Sequence, residues 1–424
     1  VTRPLPHRAV PQQLVLHGPI LHIPIVLWGA FVLVHLVIVW LALFGPGNAL
    51  GDIAVVYRGW AEGLRTGTIM GITTPFVYPV LAMVPIGTAL ILGDALYLYT
   101  WFLLVTVLDA LAFFVLVRRL RPHRVVAAWW WLGFQLLLGP VALARIDSIT
   151  VPVAIIGLLW LGSRPFWGTT LLVLATWVKI WPAAALAALF VVWPQRWRML
   201  LLAAGISVAI VGLAVVLGSG ANVLSFVTAQ TSRGIQIEAP VAGIWMWLTA
   251  LRVPGSSLYY DTEILTFQVA GPGVAVVSAF MTPLMAVMAA VVLLLGVRAT
   301  RSGAAFVTVF SPLVLALTTT LIAFNKVGSP QFISWLAAPV ILGLVWHGAG
   351  WRTPAVLALM LAALTQIIYP YLYDGMLVAD PALVLVLSVR NLLEFVLLGW
   401  AVRELWSYDR RSEASPGSRV SANG

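Results

Sequence analysis

The stretch 24-PIVLWGAFVLVHLVIVWLALFGPGNALGDIAVVYRGW-60 decides how the chain is read. Residues 24–44 are apolar except for His35. A run of about 20 apolar residues is what a helix needs to cross a hydrocarbon core of roughly 30 Å. Gly45, Pro46 and Gly47 break the run. The chain then turns polar, with Asp52, Arg58, Glu62 and Arg65 close together in a protein of which only 9% is charged.

Similar apolar runs recur to residue 404. Hydrophobic residues make up 62% of the 424, and the mean hydropathy is +1.02. A soluble chain of this size cannot bury so much apolar surface, so lipid is the solvent. The runs are continuous rather than alternating, which excludes a transmembrane barrel. The fold class is an all-α polytopic membrane bundle. There is no cysteine, hence no disulfide and no thiol chemistry. The net charge of +10 is no nucleic-acid signal, because arginines gather in short clusters between spans. The first 20 residues are polar and proline-rich, and no cleavable signal is expected.

Taking the arginine clusters as cytoplasmic markers, twelve spans thread the chain: 24–44, 96–117, 125–143, 148–162, 166–180, 182–194, 199–218, 272–297, 304–323, 331–347, 354–371 and 381–404. Both termini are cytoplasmic, with an N-terminal segment 1–23 and a disordered tail 405–424. Two outer loops, 45–95 and 219–271, carry apolar pieces, 76–92 and 241–251, read as re-entrant or interfacial. The short pair 166–180 and 182–194 turns inside the bilayer at Lys179 and Pro182. That requires protein or a watery cavity around the turn.

This threading gathers polar residues at the outer ends of spans, in 51-GDIAVVYRGW-60, 143-LARIDS-148, 231-TSRGIQIEAP-240, 325-NKVGSPQF-332 and 369-YPYLYDGM-376. Charge at that depth is costly unless paired or used. A cavity with a carboxylate, several cations and aromatic walls suits sugar transfer from a phosphate leaving group. The acid takes the acceptor's proton, and the cations stabilise charge on the departing phosphate.

Plainer readings stand beside this one. Asp52 is a natural helix N-cap. Arg58 and Glu62 have the spacing of a surface pair. Arg145 and Asp147 read equally well as an orienting salt bridge, and Lys179 as a snorkelling lysine. Arg390 and Glu394 read as an internal ion pair. His35 reads as a packed histidine rather than a metal ligand. His7, His17 and His22 lack metal-ligand spacing.

The order of these pieces resembles the integral-membrane GT-C glycosyltransferases of the family 87 type. The likeness lies in Asp52 with Tyr57 and Trp60 after the first span, the Tyr78–Pro79 step, Arg145-x-Asp147, Lys179 before Trp181–Pro182, 233-RGIQIE-238 and NKVGSPQF. It covers residues 24 to 404. Where such families usually read Tyr-Pro-Pro, this chain has 78-YPV-80.

The resemblance implies an inverting mannosyltransferase that uses a polyprenyl-phosphate mannose donor and a glycolipid acceptor at the outer face of the plasma membrane. Asp52 maps to the catalytic base. Arg233, Lys326, Arg145 and Lys179 are expected to hold the donor phosphate. Tyr57, Trp60, Tyr78, Asp147, Gln236 and Glu238 are expected to contact sugar or acceptor. No metal cofactor is expected, although some family members hold a divalent ion. An arabinose donor is the alternative within the class. A lipid or sugar transporter is the alternative outside it, and a scaffold without chemistry leaves the outer charges unexplained.

Overall fold

A computed structural model describes residues 23–229 and 233–413, apart from the side chains of 408–413. The expectations for residues 1–22, including Arg3, Arg8, His7, His17 and His22, lie outside the described residues, as does the tail from 414.

Helices form where the apolar runs predict them, and prolines and glycines set their limits. Helix α1 (Pro24–Phe44) opens on a proline and stops at Gly45. Then come α2 (Tyr97–Val117), α3 (Pro122–Leu138), α4 (Asp147–Leu161), α5 (Pro165–Val178), α6 (Ala183–Val192) and α7 (Arg196–Val216). The second half holds α8 (Val274–Arg301), α9 (Phe306–Ala323), α10 (Ala337–His347), α11 (Arg352–Gln366) and α12 (Pro381–Glu413). Proline at the first helical position costs no hydrogen bond, because that N–H has no partner inside the helix. Gly139, at φ +63°, ends α3 in a conformation that side chains resist.

Among the described residues, 8 helical stretches are long and apolar enough to cross a membrane. One, Pro330–Tyr371, contains two of the expected spans. Helices α4, α5 and α6 fall where spans were expected but have only 15, 14 and 10 residues, fewer than a straight crossing needs. The chain is thus an all-α membrane protein. The pieces at 76–92 and 241–251 form only short helices, Met83–Thr88 and Gly243–Ala250. Helix α12 runs past the expected end at 404 to Glu413.

One feature departs from the all-helical expectation. β1 (Ser257–Asp261) and β2 (Thr266–Ala270) pair antiparallel, Ser257 opposite Ala270 and Asp261 opposite Thr266. Aromatic residues in both runs favour strands, but the joining residues 262–265 read TEIL and carry no turn signal.

The bundle is apolar outside as well as inside. Ile25, Leu33, Leu36 and Phe44 on α1 are exposed, while Leu27, Phe31 and Ile38 are buried. Against lipid, apolar burial gives little drive between helices, so close packing must supply it. Helices α4 and α5 meet at Gly157 and Gly168, where a Cβ on Gly168 would lie 2.7 Å from the Gly157 carbonyl oxygen. Helix α9 is the centre of the bundle, with nearly every side chain buried. Polar bonds cross-tie the periphery. Asp109 of α2 lies 3.0 Å from Nε2 of His35 on α1 and accepts from Gln135 of α3 at 2.7 Å. His35 is therefore a packed, bonded histidine.

Candidate functional site

Asp52 stands just past α1, where the chain forms a π-helical turn over Asp52–Tyr57 that passes into a short helix, Arg58–Gly63. Such wide turns are rare and recur at functional sites. Asp52 begins this helix as expected, with Gly51 rather than Asp52 in the N-cap position. The Oδ2 of Asp52 lies 3.2 Å from Nε of Arg145.

Arg145 is buried and most of its donors are engaged. Nη1 donates to the carbonyls of Ala49 at 2.7 Å and Ala144 at 2.6 Å, and Nη2 donates to the Tyr369 hydroxyl at 2.5 Å. Tyr369 donates in turn to the Asn48 carbonyl at 2.9 Å. This bears on two expectations. Arg145 spends most of its donors inside the protein, which leaves at most one Nη2 hydrogen for a phosphate, and it does not pair with Asp147. It fixes Asp52, whose side chain stays 38% exposed and so remains reachable.

Asp147 opens α4, and its partners come from elsewhere. Lys179, at the end of α5, approaches it to 3.4 Å, and Nε1 of Trp335 donates to Oδ1 at 2.6 Å. Trp335 stacks on Trp181 and on Phe332. Asp147 is only 1% exposed, so it anchors Lys179 rather than facing a sugar. The Lys179 ammonium sits 4.4 Å from the centre of the Tyr78 ring, a cation–π contact. The snorkelling alternative fails, since Lys179 points into this cluster.

Arg233 completes a group of cations. Its positive charge acts on both Lys179 and Lys326. Burial lowers the proton affinity of Arg233. Burial together with Arg233 does the same to Lys326. Nε of Arg233 is buried without a hydrogen-bond partner. Nζ of Lys326 lies 3.5 Å from the Ser278 hydroxyl. Asp147 already stands beside Lys179 and Asp261 acts on Arg233, so the group is rich in positive charge without being bare of counter-charge, and a phosphate would add to what these acids supply.

The loops that bring them are braced together. The Gln236 N–H donates to the Lys326 carbonyl at 3.0 Å, and the Ser329 hydroxyl donates to Gln236 Oε1 at 3.3 Å. The Ile235 carbonyl and the Ile237 N–H bond to Val269 and Phe267 of β2. Gln236 is thereby a brace and is buried, a correction to its expected sugar contact. Glu238, also buried, lies 3.8 Å from Arg390. Burial pushes its carboxyl up to about 7, against the pull of Arg390 and Arg145.

Aromatic rings wall the Asp52 side. Trp60 lies between Tyr57, Phe76 and Tyr78, with ring centres 5.7, 5.1 and 6.0 Å away. Trp60 and Tyr78 are half-buried. Tyr57 differs from expectation. It is 1% exposed and its hydroxyl accepts from the Ile146 N–H at 3.2 Å, so it supports the wall from behind. Burial raises its proton affinity, so it stays a neutral phenol.

Arg58 and Glu62 form the expected surface pair at 2.8 Å, and Arg390 and Glu394 the expected internal one at 3.4 Å. Tyr369, Trp335 and Ser278 were missed. Tyr369 lies in a stretch the sequence had flagged, and Trp335 only three residues beyond another. Ser278 gives no sequence signal. Among the described residues no group of three or more His, Asp or Glu could hold a metal ion.

Scans against protein-family models, curated proteins and solved structures found no match for the chain.

Proposed function

We propose that this chain is an integral-membrane glycosyltransferase. It moves mannose from polyprenyl-phosphate mannose to a glycolipid acceptor of the phosphatidylinositol mannoside or lipomannan type. One observation carries the reading: a reachable carboxylate, Asp52, acts on Tyr57, whose ring lies 6.4 Å from Tyr78, and Tyr78 in turn faces Lys179 and acts on Arg233, so the acid and the cation group are joined through this aromatic wall. Asp52 takes the proton of the acceptor hydroxyl. That oxygen forms a bond to the anomeric carbon from the face opposite the phosphate. The anomeric carbon–oxygen bond breaks, and its electron pair leaves on the phosphate. Arg233, Lys326 and Lys179 stabilise that charge. Inversion follows from a single displacement.

The depth of the cluster fits a donor drawn from the bilayer. Helices α4 and α5 have 15 and 14 residues, about 22 and 21 Å at 1.5 Å per residue. Both run from the Arg164 turn. Asp147 and Lys179 then stand short of the far edge of a core roughly 30 Å thick, on the side away from the arginine clusters. In this reading all twelve helices cross or enter the membrane, the termini are cytoplasmic, and the recess opens outward from the plasma membrane.

The decisive experiment incubates the purified protein with radiolabelled polyprenyl-phosphate mannose and candidate glycolipids. Label passing to a glycolipid supports the reading. No transfer from either mannose or arabinose donors overturns it. A second reading, a proton-linked transporter, is favoured by His35–Asp109–Gln135, an ionisable cluster inside the spans. Solute uptake by proteoliposomes in response to a pH gradient would support it.

A further inference from the structure

The mechanism above leaves one buried charge cluster unused. Arg390, on α12, is 1% exposed. Its Nη1 donates to the backbone carbonyl of Glu238 at 3.2 Å and to Asn391 Oδ1 at 3.1 Å, and lies 3.8 Å from the Glu238 carboxylate. Its Nη2 lies 3.4 Å from Glu394. One guanidinium thus hydrogen-bonds the main chain of a loop residue and stands beside that residue's carboxylate, with a second acid behind it. The planar fork of arginine can do this; a lysine ammonium cannot.

An ion pair in a span needs no loop partner to be stable, and Glu394 alone supplies the counter-charge. The extra grip is on the segment that carries Arg233, Gln236 and Glu238. On its other side that segment bonds to Lys326 and to β2. Glu238 feels Arg145 as well as Arg390 and Glu394, and Tyr369 and Tyr373 feel Glu238 in turn.

We infer that Arg390 and Glu394 are positioning residues: through Glu238 they set where the 233–239 loop stands, and with it Arg233 of the cation group. This rests on the proposed transfer reaction for its catalytic meaning, but not for its structural content. Arg390 touches neither donor nor acceptor. It acts through the loop.

The test has two arms on the full-length protein in detergent. In the first, hydrogen exchange is followed by mass spectrometry in wild type, Arg390→Lys and Glu394→Gln. Arg390→Lys keeps a buried cation, and Glu394→Gln keeps the arginine, so one folded variant is available if the other fails. Faster exchange confined to the peptide covering 235–243, with α9 and α12 unchanged, supports the inference. Unchanged exchange there, or faster exchange spread over the whole bundle, overturns it. In the second arm, Arg390→Lys raises the donor KM roughly tenfold, the value of one charge-assisted hydrogen bond, and leaves kcat within about threefold. A variant with kcat and KM both at wild-type values overturns the inference. A wild type inactive on every donor removes the proposed reaction instead, and the exchange arm still decides the positioning.

Discussion

The carboxylate of Asp52 is held by Nε of Arg145 at 3.2 Å, and the rest of that guanidinium is locked by two carbonyls and Tyr369. A base must be oriented and yet reachable. Pairing one carboxylate oxygen with a fixed guanidinium leaves the other free to accept a proton. Exchanging Asp52 for Asn keeps the shape and removes the basicity. Transfer should fall by roughly 10²–10⁴, the usual worth of a general base, with donor KM little changed. Wild-type turnover in a purified Asp52→Asn protein would remove Asp52 from the mechanism.

Arg145 should matter more to folding than to phosphate binding. Its removal leaves Asp52, Tyr369 and two buried carbonyls without a donor. Breaking one side of a buried pair costs about 3–5 kcal/mol. Arg145→Leu is expected to lower the thermal midpoint in detergent far more than Lys326→Met. Equal midpoints for the two variants would contradict this account of the site.

Gly328 tests how closely two loops must meet. A Cβ there would lie 2.0 Å from the Ala239 backbone nitrogen, a distance no real contact allows. Ala at this position must push the Lys326 loop away from the Glu238 loop. Overpacking of this kind costs about 1–3 kcal/mol, and the expected signature is weaker donor binding with the bundle still folded. Unchanged donor KM in Gly328→Ala would show that the two loops need not touch.

Glu238 predicts a pH dependence. Burial raises its carboxyl from 4.5 to about 7 in the folded protein. Between these values the folded state holds a proton that the unfolded state has released. Stability must therefore fall as pH rises from about 4.5 to 7 and level off above. The shift corresponds to at most about 3 kcal/mol. Glu238→Gln should make that part of the curve shallower, read as thermal midpoint against pH. An unaltered slope in the variant would refute the assignment.

The His35–Asp109–Gln135 tie makes an asymmetric prediction. If Nδ1 of His35 donates to the Phe31 carbonyl, as the 2.9 Å contact allows, the 3.0 Å contact to Asp109 needs a proton of its own. Asp109→Asn supplies one from its amide, and a flipped Gln135 can accept the second amide hydrogen. His35→Leu leaves a buried acid with one partner fewer. The asparagine variant should stay within about 1 kcal/mol of wild type, and the leucine variant should lose about 3 kcal/mol. Comparing midpoints of the two purified proteins decides it, and equal losses would argue against the shared proton.

What the sequence determined by itself is the solvent and the scaffold. Runs of apolar residues long enough for lipid, ended by Gly and Pro, fix helices such as Pro24–Phe44 and Arg196–Val216 because no other local structure satisfies a backbone in hydrocarbon. The same argument marks Asp52, Arg145, Lys179 and Lys326 as residues in need of partners. Periodicity and spacing do not say which partner each one takes. Arg145 turns from its neighbour Asp147 to Asp52, Asp147 goes to Lys179 and Trp335, and Arg390 reaches back to Glu238. These pairings join segments far apart in the chain, and Coulomb energy depends on distance in space alone. Only the packed bundle sets those distances, so only the tertiary structure could show that Arg145 holds the acid while Arg233, Lys179 and Lys326 gather as cations.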